Sequence, residues 1–140
     1  MILKDKVAVV TGGSSGIGAA TVRMLAHEGA SVVICYNKGL ERARALLDEL
    51  PKAPHRIQHL AVEDSSSVRR AADEIGNAYG RAHILVNSAG VTRPIPHGRD
   101  PGVIRRYDPE RSSFGRRILG PNGLRRHYRA QARPDARGAA

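Results

Sequence analysis

A glycine-rich turn between an apolar stretch and an amphipathic stretch constrains this chain more than any other feature. Residues 11–18 read Thr-Gly-Gly-Ser-Ser-Gly-Ile-Gly and follow the apolar residues 7–10. Glycines at such a turn let a ligand approach the backbone, and the helix N-terminus presents free N–H groups and the positive end of its dipole. The spacing therefore predicts a phosphate-binding turn, with Gly12 at the bend, Gly16 beside the phosphates and Gly18 where helix and strand pack together. An ordinary strand-to-helix turn without a ligand is the alternative.

The hydrophobic pattern after this turn predicts an α/β fold. Continuous apolar runs favour strands buried on both faces, and apolar residues spaced three or four apart favour helices. The predicted strands are residues 6–11, 31–36, 56–62 and 84–87, and the predicted helices are residues 15–28, 40–50 and 65–79. The order β-α-β-α-β-α-β implies a parallel sheet with right-handed crossovers. We expect the strand order 3-2-1-4, with a ligand at the carboxyl ends of strands 1 and 4.

The apolar positions also predict which side chains the helices bury. In the first helix these are Ile17, Ala20, Met24 and Leu25. In the second they are Leu40, Ala43, Leu47 and Leu50, and in the third Val68, Ala71, Ala72 and Ile75. Asp64 is the predicted N-cap of the third helix. His83 is interpreted as a surface residue at the entry to the fourth strand.

Composition limits the function classes. A single cysteine, Cys35, excludes an internal disulfide and favours a reducing cytoplasm. No apolar run approaches the ~18 residues of a membrane span, and the N-terminus lacks the pattern of a signal peptide. The histidines show no metal-ligand spacing, so we assign no metal site. The net charge of +10 suggests a nucleic-acid partner, but residues 98–140 alone contain 11 arginines.

Two motifs together resemble those of the short-chain dehydrogenase/reductase family. Thr11 stands before the glycines, and Asn87-Ser88-Ala89-Gly90 follows the fourth predicted strand. The resemblance covers residues 1–97 and implies a Rossmann-type fold that binds NAD or NADP and transfers a hydride between carbonyl and alcohol substrates. It implies cofactor contacts from the turn and the later segment, namely Gly12, Ser14, Ser15, Gly16, Ile17, Gly18, Asn87, Ala89 and Gly90. For Ser14 and Ser15, helix capping is a compatible second role.

The residues after the second predicted strand bear on the choice of cofactor. An acidic side chain at this position bonds the 2′-hydroxyl of NAD. Here the chain has Tyr36, Asn37 and Lys38, so no acid repels a 2′-phosphate and Lys38 is placed to pair with one. The pattern favours NADP; NAD, with Lys38 as a solvated loop residue, is the alternative. The family's Asp-Val pair after strand 3 is Ala61-Val62 here, which leaves only the Val62 backbone as an adenine contact.

The family's catalytic residues find no match in this chain. The resemblance implies a Ser and a Tyr-x-x-x-Lys motif, in which the Tyr acts as general acid and base and the Lys lowers its pKa. The residues four positions after the four tyrosines are Leu40, His83, Arg111 and Ala132. We therefore assign no catalytic residue and leave enzyme activity undecided. A small-molecule substrate is expected only if the fold is complete.

Residues 98–140 depart from the pattern before them. They are rich in Arg, Gly and Pro, contain no lysine and show no sustained periodicity. We expect a truncated doubly wound fold followed by an irregular tail. A reading-frame shift in GC-rich coding sequence near residues 97–98 would make that tail non-homologous and disordered. Two other readings stay open: a dinucleotide-binding module without catalysis and, less favoured, an Arg-rich tail that binds nucleic acid.

Overall fold

The computed structural model describes residues 1–90, which form an alternating α/β unit. The elements are β1 (Val7–Thr11), α1 (Gly16–His27), β2 (Ser31–Tyr36), α2 (Leu40–Glu49), β3 (Arg56–His59), α3 (Ser65–Tyr79) and β4 (Ile84–Asn87). This order confirms the predicted alternation. The predicted tail and its boundary at residue 97 lie outside the described residues.

The four strands form one parallel sheet in the order β3-β2-β1-β4, as predicted. β1 pairs with β2 in the register Val7 to Ser31 and with β4 in the register Ala8 to Ile84. All five residues of β1 are buried, as are the four central residues of β2. The two central strands therefore carry the core, and their carboxyl ends meet at one edge of the sheet.

The core has one layer on each face of the sheet. On one face, alternate residues of β1 and β2 pack with α1 and α2, in a cluster formed by Ala8, Val10, Ala19, Val22, Ala26, Ala30, Val32, Ile34, Ala43 and Leu46. On the other face, the intervening strand residues pack with α3, in a cluster formed by Val7, Val9, Val33, Cys35, Leu60, Val68, Ala71 and Ile75. This two-sided packing confirms the Rossmann-type, doubly wound interpretation.

The predicted buried face of α1 is wrong. Ile17 is 82% exposed and Met24 is 64% exposed, whereas the sheet-facing residues are Gly18, Ala19, Val22 and Ala26. Ala20 is also exposed, and Leu25 is partly buried against the first cluster. The close approach of α1 to the turn explains the residue at the start of this face, because a Cβ on Gly18 would overlap the Gly12 carbonyl oxygen.

The other helices follow the prediction more closely. In α2, Ala43 is buried as expected, but the largest buried side chain is Leu46, while Leu47 and Leu50 pack at its margin. The N-cap prediction for α3 is confirmed, because the Asp64 side chain accepts a hydrogen bond from the Ser66 N–H at 2.8 Å. None of the helices in residues 1–90 is long and apolar enough to cross a membrane.

The third strand ends earlier than predicted, at His59 instead of residue 62. The Ser67 hydroxyl accepts a hydrogen bond from the Ala61 N–H at 3.0 Å, and the Asp64 N–H donates to the Ala61 carbonyl at 3.1 Å. These bonds turn the chain towards α3 before Val62, which is 49% exposed. The strand ends where its partner β2 ends, at Tyr36, whose carbonyl accepts a hydrogen bond from the Leu60 N–H at 2.8 Å.

Candidate functional site

The glycine-rich turn lies where the carboxyl ends of β1 and β4 meet. Gly12 has a φ of +62°, a conformation that favours glycine. A Cβ on Gly12 would lie 2.8 Å from the Ala89 Cα and 2.9 Å from the Ala89 nitrogen. The turn after β1 is therefore in close contact with the segment after β4. The two motifs that the sequence singled out form one surface.

Gly16 occupies the opposite, open side of the turn. It has a φ of +53°, and a Cβ built on it would meet no atom within 4 Å. Gly16 is also the first residue of α1. Backbone at the start of a helix thus borders open space, which is the arrangement that lets a phosphate approach.

The first turn of α1 has no side-chain cap. Ser15 is the N-cap residue, with extended backbone at φ −156° and ψ 165°, but its side chain makes no cap hydrogen bond. Its carbonyl oxygen accepts from the Ala19 N–H at 3.1 Å. Of the two roles considered for Ser15, capping is therefore not used in this structure. The first-turn N–H groups of a helix have no intrahelical acceptor, so they are available to an anion here.

Thr11 organises the site and was not among the predicted site residues. Its side chain is buried, and Oγ1 accepts hydrogen bonds from the N–H groups of Ser88 and Ala89, each at 3.1 Å. The same hydroxyl donates to the Val86 carbonyl at 3.4 Å. Thr11 thus ties the end of β1 to the segment after β4. A threonine at the end of an otherwise apolar strand is the sequence signal that would have indicated this role.

The end of β2 adjoins the glycine turn. The Gly13 N–H donates to the Cys35 carbonyl at 2.9 Å, and a Cβ on Gly39 would lie 2.7 Å from the Ser14 hydroxyl oxygen. Tyr36 is partly buried and packs edge-to-face against His59, with ring centroids 5.6 Å apart. The predicted cofactor-selecting residues therefore follow a strand that touches the turn.

The remaining predicted contacts lie at this same edge of the sheet. Asn37 and Lys38 are exposed, and the Asn37 amide donates to the Glu63 carboxylate at 3.5 Å. Val62 lies in the exposed connection between β3 and α3. Asn87, the last residue of β4, pairs in register with Thr11.

A different kind of polar contact lies at the amino ends of the strands. His83 is not merely a surface residue: it is partly buried, and its Nδ1 accepts a hydrogen bond from the Val7 N–H at 3.0 Å. Burial, with Arg81 and Lys6 nearby, lowers the pKa of His83 below its ordinary 6.5. The neutral ring is the form that accepts this bond.

His55 repeats this arrangement one strand further along. Its Nδ1 accepts from the Val32 N–H at 3.0 Å, and its Nε2 lies 2.9 Å from the Pro51 carbonyl oxygen. Burial lowers the pKa of His55, against a smaller opposing effect of the Pro51 hydrogen bond. Both histidines thus have structural roles. Within residues 1–90, no three His, Cys, Asp or Glu side chains come together as metal ligands would.

The single cysteine is part of the core. Cys35 is fully buried in the α3-side cluster, and burial raises the pKa of its thiol to about 12. A thiol with so high a pKa is a poor nucleophile at neutral pH.

Comparison with known proteins identifies this architecture. The family model described as short chain dehydrogenase matches residues 6–103, more than half of the chain. The motif resemblance was expected to stop at residue 97, but the family match continues to residue 103. The boundary at residue 97 stays a prediction.

Individual relatives agree with the family match. The chain is 44% identical over 96 residues to D-threitol dehydrogenase of Mycolicibacterium smegmatis and covers 36% of that protein. It is 36% identical over 98 residues to the short-chain dehydrogenase/reductase homolog YusS of Bacillus subtilis, of which it covers 90%. Both matches involve about two thirds of this chain, 67% and 69%.

A solved structure gives the same result in three dimensions. A dehydrogenase/reductase from Sinorhizobium meliloti superposes with a TM-score of 0.63 at 41% identity, covering 68% of this chain and 38% of that one. The chain thus spans less than two fifths of the length of this protein and of the D-threitol dehydrogenase.

Proposed function

The chain belongs to the short-chain dehydrogenase family of oxidoreductases, and on that premise we propose that residues 1–90 form its nicotinamide dinucleotide site. The nicotinamide of such a cofactor supplies hydride chemistry when bound. This chain's residues supply the binding surface. The observation that carries the proposal is the open space at Gly16, next to an uncapped helix N-terminus and at the junction of the β1 and β4 ends.

The turn fits a pyrophosphate by both shape and charge. Gly12 and Gly18 bring the backbone of the turn and of α1 together without side chains between them. Gly16 and Ile17 then place backbone N–H groups at the open side, where the helix dipole favours negative charge. The hydroxyl of Ser15 is an additional donor to the pyrophosphate, whereas the hydroxyl of Ser14, 2.7 Å from a Cβ built on Gly39, is a donor to a phosphate at the end of β2.

The other predicted contacts extend from this turn in two directions. We assign the adenine side to the Val62 backbone, and the adenosine ribose to Tyr36, Asn37 and Lys38 at the end of β2. We assign the nicotinamide side to Asn87, Ala89 and Gly90, because Thr11 fixes that segment against the turn.

We propose that NADP is preferred over NAD. The segment after β2 carries no acidic side chain among residues 36–38, and Lys38 is exposed there. An acid at this position would repel a 2′-phosphate and bond a 2′-hydroxyl. Within residues 36–38 the only charge is that of Lys38, which favours the phosphorylated ribose and opposes the Glu63 carboxylate that lies 3.5 Å from the Asn37 amide nitrogen.

We further propose that these 140 residues bind the cofactor without turning over a carbonyl or alcohol substrate. No tyrosine in the chain has a lysine four residues later, so the family's acid/base pair has no counterpart in this sequence. A small-molecule substrate belongs to the proposal only where further chain completes the fold. The buried, unpaired Cys35 agrees with a reducing cytoplasm as the compartment.

A calorimetric titration with NADPH tests the site. Gly16→Ala should lose most of the binding seen in the unmodified chain, because a methyl group would enter the space reserved for phosphate. Gly80→Ala is the matched control: Gly80 also has a positive φ, +75°, and open space around it, but it lies after α3 at the amino ends of the strands. Both substitutions place a side chain on backbone with a positive φ, which costs stability in each case. Absence of NADPH binding by the unmodified chain, or equal losses in both variants, would refute the site.

A turnover assay tests the second part. We expect no oxidation of NADPH above background when the chain is mixed with a panel of small ketones and aldehydes. Steady turnover that disappears in Gly16→Ala would contradict the proposed lack of catalysis while supporting the site.

A further inference from the structure

Arg42, which no sequence motif singled out, lies between the end of β2 and the glycine turn. A Cβ built on Gly39 would lie 2.8 Å from the Arg42 Nη2, 3.2 Å from its Cζ and 2.7 Å from the Ser14 Oγ. The guanidinium and the Ser14 hydroxyl therefore border the same small space beside the Gly39 backbone. Arg42 is in the first turn of α2, yet its side chain reaches back towards the turn that follows β1.

The charge of Arg42 is unmatched within residues 1–90. The neighbouring Arg44 forms an ion pair with Glu41 at 3.3 Å, and Arg23 forms one with Glu49 at 2.7 Å. Among the described ion pairs none includes Arg42, and no carboxylate competes for its guanidinium. Gly39 is itself buried, so any side chain at this position would push the guanidinium away.

We infer that Arg42 is the principal determinant of NADP preference, and that its guanidinium, with the Ser14 hydroxyl, binds the 2′-phosphate. The inference rests on the proposed dinucleotide site and deepens it. A phosphomonoester carries nearly two negative charges at pH 7, and a planar guanidinium binds it through two parallel hydrogen bonds. Lys38 and Arg42 are both exposed, but Lys38 offers only a point charge on a flexible side chain. Lys38 therefore has a secondary role.

Dissociation constants for NADPH and NADH, measured by calorimetry on the full chain, test this assignment. Arg42→Gln removes one charge-assisted contact from an exposed side chain, so NADPH binding should weaken about tenfold while NADH binding stays within about twofold. Arg42→Lys keeps the positive charge but not the pair of parallel donors, so NADPH binding should weaken by an intermediate factor of about three. Arg44→Gln, two residues further along the same helix, is the matched control and should change neither constant.

The outcomes separate this inference from the proposal on which it rests. If the unmodified chain binds neither dinucleotide, the site itself fails and the role of Arg42 with it. If it binds both and Arg42→Gln leaves their ratio unchanged, or weakens both equally, the site stands and the inference is overturned. A larger loss of NADPH preference in Lys38→Gln than in Arg42→Gln would also overturn it.

Discussion

Replacing Thr11 with valine should loosen the junction between the turn and the segment after β4. Valine has nearly the same shape as threonine, so the core beside β1 stays filled. The substitution removes the one oxygen that accepts from the N–H groups of Ser88 and Ala89. It also removes the donor to the Val86 carbonyl.

The expected loss follows from these three contacts. A buried donor left without a partner costs about 1–3 kcal/mol, and a net hydrogen bond is worth about 1 kcal/mol. Ala89 is exposed and Ser88 is partly buried, so water can replace part of the loss. The contact to Val86 is long, at 3.4 Å, and adds little. We therefore expect Thr11→Val to lower the free energy of unfolding by about 2 kcal/mol.

Urea denaturation followed by circular dichroism measures this loss, and Thr11→Ser is the control because it keeps the hydroxyl and loses only a methyl group. We expect Thr11→Ser to cost about 1 kcal/mol. Amide hydrogen exchange should show lost protection at Ser88 in Thr11→Val alone. A Thr11→Val variant as stable as the unmodified chain, or a serine variant equally destabilised, would refute the role of the hydroxyl.

The close packing of α1, the two histidines and the buried cysteine can each be tested by one change. Gly18→Ala should lower the free energy of unfolding by about 1–3 kcal/mol because its methyl group would meet the turn backbone. Gly76→Ala, in α3 with nothing within 4 Å of the new methyl group, should raise it by about 0.5–1 kcal/mol. Thermal unfolding compares the two variants, and equal effects would contradict the close packing of α1. The pKa values of His83 and His55 are lowered in the folded chain, so the unfolded chain takes up protons more readily. Their contribution to the free energy of unfolding should be fully present above pH 6.5 and lost as the pH drops through the folded pKa values. Urea midpoints from pH 8 to 5 measure this, and a flat profile would contradict it. With its pKa raised to about 12, the buried Cys35 thiol should react with a thiol reagent only as fast as the chain unfolds. Rapid labelling of the native protein would contradict the burial of Cys35.

The architecture was predictable because its signals are local. Strands that are buried on both faces are continuously apolar, so the apolar runs of β1 and β2 indicate central strands of a parallel sheet. The turn glycines and the Asp64 cap act within a few residues of their own positions. The strand order followed from the alternation of strands and helices and the general rules of α/β connection, not from any pairing visible in the sequence.

The errors arose where partners are distant in sequence or where small size matters more than hydrophobicity. Periodicity assigned Ile17 and Met24 to the buried face of α1, but both are exposed. The helix packs on the sheet through other residues, and at Gly18 the turn backbone leaves no room for a side chain. The hydrogen bond from Val7 to His83 spans 76 residues and leaves no local pattern. The position of Arg42 depends on how far β2 and the turn after β1 approach each other, which only the folded chain shows.

The most direct test of the central claim is an NMR titration of the isotope-labelled chain with NADPH. We expect saturable shifts of backbone amide signals in residues 12–18, at the end of β2 in residues 36–39 and at the end of β4 in residues 87–90. The amides of His55 and His83, at the amino ends of the strands, should stay unchanged. Shifts confined to other parts of the chain, or none at millimolar NADPH, would contradict the claim that this turn is a dinucleotide site.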